Sequence, residues 1–196
     1  MLFEISLAIL ILVLGLQIIR RFGGLFGIKN FNLRYIFIIS ILIIFGMLFY
    51  QSYQQYQIWS QNGPSKFLLP PYQNINYFAF YVFMRFFVSY LISLVAAIVF
   101  LIVAKVLNKK YEERFFEPEE FWLGALAIFL VGYPGWLFYL VFVVLLYSLI
   151  HIFSLLISRF SSSRISLYWL WIPTAIFVII IGKWLQTLSL WSLLKL

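Results

Sequence analysis

Glu117–Trp136 reads EPEEFWLGALAIFLVGYPGW, and the length of its apolar run decides how the rest of the chain is arranged. Three carboxylates open it, an unbroken apolar run follows, and Gly132-Tyr133-Pro134-Gly135 ends it. The run is about 14 residues, and at ~1.5 Å of rise per residue it covers about 21 Å, less than the ~30 Å hydrocarbon core of a bilayer. The pattern therefore predicts a short or half-buried helix that turns sharply into the longer apolar run behind it. Pro118 suits a first helical position, and Glu117, Glu119 and Glu120 suit the positive end of the helix dipole. A carboxylate cluster where a membrane helix leaves the water is also a place where chemistry can be housed.

Working outward, the composition sets the solvent. Of the 196 residues 65% are hydrophobic and only 10% are charged, more apolar surface than a soluble domain of this size can hide. The apolar runs are continuous rather than alternating, which excludes an outer-membrane barrel and predicts an all-α, polytopic helical membrane bundle. The net charge of +8 comes from short basic patches between the runs, so membrane orientation explains it and a nucleic-acid partner is not expected. Cysteine and aspartate are both absent; all six acids are Glu, and five of them lie between Glu112 and Glu120.

The sequence predicts six membrane segments, at residues 2–19, 35–50, 78–104, 119–132, 136–158 and 166–182, the fourth short enough to be re-entrant. Residues 51–77 are expected as an outside loop with interfacial aromatics, and 183–196 as an interfacial tail. Gly23, Gly24 and Gly27 read as a flexible turn, because no Walker-type Lys-Ser/Thr follows them. Arg20, Arg21, Lys29, Arg34, Lys105, Lys109, Lys110, Arg114, Arg159 and Arg164 fall on one side, leaving only Lys66, Lys183 and Lys195 on the other, with Arg85 inside a span. By the positive-inside rule both termini lie outside. A multi-pass protein of the cytoplasmic membrane is the expected location.

Two polar positions inside spans stand out. Arg85, Ser89, Ser93 and Ala97 recur every four residues and so share a helix face suited to packing against other helices. Arg85 either snorkels outward or binds an anionic group. His151, the single histidine, shares a face with Tyr147, Ser154 and Ser158 and is expected to point into the bundle. Pro173 is expected to kink the last span. No three residues have the spacing of metal ligands, so neither a metal nor a cofactor is expected.

From Glu117 onward the chain resembles the C-terminal half of the type IV prepilin peptidases, polytopic aspartyl proteases with a GxGD motif. Leu123-Gly124-Ala125-Leu126 and Gly132-Tyr133-Pro134-Gly135 fall at offsets matching that family's short small-residue helix and its Gly-aromatic-Pro-Gly turn. The alignment places Glu117-Pro118-Glu119-Glu120 over GxGD, with Glu120 at the aspartate. The resemblance implies a membrane protease and pilin-like partners. Against activity, both motif glycines are replaced, by Glu117 and Glu119, and the second catalytic aspartate has no counterpart. An aspartyl protease needs two carboxylates from opposing elements sharing a proton.

The residues thus single out Glu120 as the catalytic candidate and Arg85, His151 and Glu117 as binding candidates. The favoured expectation is a relative of the prepilin peptidases without protease activity, a membrane scaffold or binding partner. Three alternatives stand beside it: an active peptidase using Glu120, a small lipid-handling enzyme or transporter with Arg85, His151 and Glu120 in one cavity, and a structural subunit of a membrane complex.

Overall fold

The computed structural model describes residues 2–22, 32–112, 116–117, 119–156 and 167–194. The proposed glycine turn, Glu113, Arg114, Pro118, the basic turn at 159–164 and Lys195 lie outside the described residues. Among those described, the ordered elements are all helical: α1 (Leu2–Phe22), α2 (Leu33–Gln61), α3 (Gly63–Lys66), α4 (Ile75–Val82), α5 (Val88–Lys110), α6 (Glu120–Val131), α7 (Gly135–Leu156), α8 (Trp171–Ile180), α9 (Gly182–Leu185) and α10 (Ser189–Leu194). A π-helical turn, Phe83–Phe87, fuses α4 to α5, and a 3₁₀ turn, Leu167–Trp169, precedes α8.

Among the described residues, four helices are long and apolar enough to cross a membrane: Leu2–Arg20, Leu33–Gln61, Ile75–Lys110 and Gly135–Ser154. α6 and α8 are too short, at 12 and 10 residues, or about 18 and 15 Å. α6 sits in the middle of the bundle, against α1, α2, α5, α7 and α8. Its residues from Leu123 to Leu130 are all buried, the pattern of a helix apolar on every side and enclosed by others.

The reason lies at its ends. A helix that stops at membrane depth exposes up to four N–H and four C=O groups where no water can pair them. Protein must supply the partners, so short helices belong inside and long ones can face lipid. Lipid-facing residues are plentiful on the long helices, with Leu12, Leu42, Val95 and Val144 each more than 60% exposed.

α5 and α6 pack closely. A Cβ on Gly124 would stand 2.6 Å from Cε1 of Phe100, so only glycine permits this contact. Phe100 in turn meets Trp171 of α8 edge-on, with ring centroids 5.4 Å apart. Without a hydrophobic driving force between helices in lipid, such close contact is what holds them.

Three sequence expectations are corrected. Residues 51–77 are not an open loop: α2 runs on to Gln61, because no Gly or Pro falls between Tyr50 and Gly63-Pro64. Gln54 and Gln57 there donate back to the Tyr50 and Tyr53 hydroxyls, pairs one helical turn apart. Trp59 of that extension packs on Phe78 and Tyr81 and, with Leu69 and Val82, forms a second small core. The third long helix accordingly starts at Ile75 rather than at 78. Pro173 kinks no long helix; it lies in the first turn of α8, where its missing N–H costs little. His151 is exposed on the outer surface of α7, stacked on Tyr147, instead of pointing into the bundle.

Candidate functional site

The start of α6 gathers polar contacts from three elements. The backbone N–H of Glu117 donates to Oε2 of Glu120 at 3.1 Å, and the N–H of Glu120 donates to the carbonyl of Glu117. The carboxylate of the first residue of α6 thus folds back onto the backbone three residues before it, and the two residues close a tight turn into the helix. Glu120 is 1% exposed. Glu119 forms an ion pair with Arg20 at the end of α1, both side chains about one-third exposed. Lys105 of α5 places its ammonium 4.7 Å from the ring centroid of Trp122, covering the first turn of α6.

Asn108, buried in the last turns of α5, completes the arrangement. Its Nδ2 donates to the carbonyl of Phe116 and its Oδ1 accepts from the N–H of Phe116, both at 2.9 Å. One amide side chain thus pairs both backbone groups of the residue that leads into α6. Nearby, Gln17 of α1 donates to the carbonyl of Tyr168 at 3.1 Å, fixing the approach to α8. A cavity of about 20 Å³ lies beside Gln17, Arg20 and Tyr168, room for a single water and no larger ligand.

The other end of α6 follows the same logic. Gly132 takes φ +76°, a backbone conformation open to glycine, and reverses the chain into α7. Ser89 donates to the carbonyl of Tyr133 at 2.9 Å. Tyr139 of α7, fully buried, sends its hydroxyl to the carbonyl of Trp171 at 3.3 Å.

The four residues singled out from the sequence do not assemble. Glu120 and Glu117 meet at the helix start, Glu120 buried and Glu117 exposed. Arg85 is exposed in the π-helical turn, its guanidinium 5.8 Å from the Tyr81 ring, and lies toward the Ser89–Tyr133 end of the bundle, away from Glu120. The wide turn also explains why Arg85 leaves the face of Ser93 and Ala97, which are both fully buried: an i→i+5 turn shifts the register of everything before it. Among the described residues, no group of three or more His, Cys, Asp or Glu is placed to hold a metal ion.

Sequence reasoning missed Asn108, Gln17 and Tyr139. Gln17 and Tyr139 are lone polar groups inside apolar runs, and that isolation was the available signal; Asn108 sits among Lys105, Lys109 and Lys110 and carried none. A comparison with known protein families, curated sequences and solved structures found no match. The fold defines the class: a membrane-embedded, all-helical bundle in which the short apolar helices α6 and α8 are held at their ends by side chains of the long ones.

Proposed function

We propose that this chain is a prepilin-peptidase-like membrane protein without protease activity, acting as a scaffold or binding partner for pilin-like or other membrane proteins. It has six membrane segments, α6 and α8 being the short ones, and sits in the cytoplasmic membrane with both termini outside. One observation carries the reading: Glu120, at the position aligned with a catalytic aspartate, folds back onto the backbone that leads into its own helix, receiving the Glu117 N–H. An oxygen of that carboxylate is occupied by a backbone N–H of its own chain, and the side chain is buried. Its neighbour Glu119 is taken by Arg20.

The test is co-expression with a type IV prepilin in a bacterial host lacking its own prepilin peptidase. The precursor is expected to stay full-length and to co-elute with the detergent-purified protein. Cleavage that requires this protein and disappears in Glu120→Gln refutes the non-proteolytic reading. Failure of any pilin-like precursor to co-elute refutes the pilin-partner half.

A further inference from the structure

At the end of the bundle opposite Glu120 a cavity of about 270 Å³ opens between the first turns of α1, the start of α5, the α6–α7 turn and α8–α10. An enclosed apolar space of about 150 Å³ already accommodates a benzene-sized molecule, so this one is large enough for a ligand fragment. One wall is apolar, with Leu130, Val178 and Leu185; the other carries Ser6, Tyr90 and Gln186. Among the described residues, no charged side chain lines it. Ser6 is 1% exposed, and its hydroxyl interacts with the Tyr90 side chain but makes no hydrogen bond of good geometry among the described residues. A buried hydroxyl in that state favours any ligand that can pair with it.

We infer that this cavity binds the glycerol-ester head of an uncharged lipid, with the acyl chain leaving into the surrounding bilayer. Three observations select that class. The uncharged lining penalises a phosphate or ammonium, which would be desolvated without a partner. Ser6, Tyr90 and Gln186 match the hydroxyls of an acylglycerol, which donate and accept, and its ester, which accepts. Phe3, at the rim, is 44% exposed, and Trp184 of the adjoining α9 is 61% exposed, placing the cavity among aromatics suited to the headgroup level. Trp191, stacked on Phe138 with centroids 5.6 Å apart, closes one side.

The test uses delipidated full-length protein in detergent with monoolein as probe and phosphatidylglycerol as competitor, read by native mass spectrometry. A one-to-one monoolein adduct that excess phosphatidylglycerol does not displace is expected. Ser6→Ala should weaken it roughly tenfold, the equivalent of one hydrogen bond. Gly182→Leu should abolish it by filling the space, since a Cβ there meets only Phe3, at 3.7 Å. Absence of an adduct, displacement by phosphatidylglycerol, or an undiminished adduct in Ser6→Ala overturns the inference. If Gly182→Leu does not fold, Ser6→Ala decides alone.

Discussion

Replacing Asn108 by alanine tests whether the entry to α6 is held by one side chain. Two hydrogen bonds of 2.9 Å are lost, and the N–H and C=O of Phe116 are left without these partners at a half-buried position. A buried polar group stripped of its partner costs about 1–3 kcal/mol. With two groups affected and partial access at Phe116, about 2–3 kcal/mol is the reasonable sum. For a chain of this length each kcal/mol corresponds to about 2–4 °C, so Asn108→Ala should lower the melting temperature by about 4–12 °C. Asn108→Asp keeps the acceptor for the Phe116 N–H but sets a carboxylate against the Phe116 carbonyl, so it should fare no better than alanine. The assay is thermal unfolding of detergent-purified protein followed by size-exclusion chromatography, with hydrogen exchange at Phe116 and the first turn of α6 as the local readout. A melting temperature within about 1 °C of wild type, with unchanged exchange at Phe116, refutes the reasoning.

Three further outcomes follow from the same geometry. Glu120→Gln, whose side-chain carbonyl still accepts the Glu117 N–H, should stay within about 0.5 kcal/mol of wild type, whereas Glu120→Ala should lose about 0.5–2 kcal/mol; equal melting temperatures for both variants sink the role of that hydrogen bond. Gly124→Ala should cost about 1–3 kcal/mol by driving a methyl into the Phe100 ring, and truncating Phe100 to leucine in the same chain should recover part of that loss; additive effects of the two changes count against close α5–α6 contact. The Arg20–Glu119 pair is about one-third exposed, so a double-mutant cycle should give a coupling below about 1 kcal/mol, and a larger value means it is better shielded than its exposure indicates.

The membrane class, the helical content and the short sixth helix were legible in the sequence because they depend on local quantities. Continuous apolar runs cannot be soluble, and a run of about 14 residues cannot span ~30 Å of hydrocarbon. The helix start at Glu117–Glu120 and the turn at Gly132–Gly135 were readable for the same reason: caps and turns are built from neighbours in the chain. Propensity also misled. The Gln- and Tyr-rich stretch after Tyr50 looked like a loop because it is polar, yet its backbone has nothing to break a helix, and Trp59 finds Phe78 and Tyr81 to pack on.

Only the tertiary structure decided what the isolated polar residues do. Helical spacing placed His151 on a face with Tyr147 but could not say whether that face looked inward, and it looks out. A carboxylate at a helix start can wait for a substrate or fold back onto its own backbone; the Glu117 N–H selects the second. Asn108, Gln17, Ser89 and Tyr139 each pair with a backbone group beside a short helix, at separations from 8 to 151 residues along the chain. Such pairings depend on which helix ends at membrane depth and which long helix passes it. Local sequence fixes each helix length, while the demand that every buried backbone group find a partner is met only by the assembled bundle.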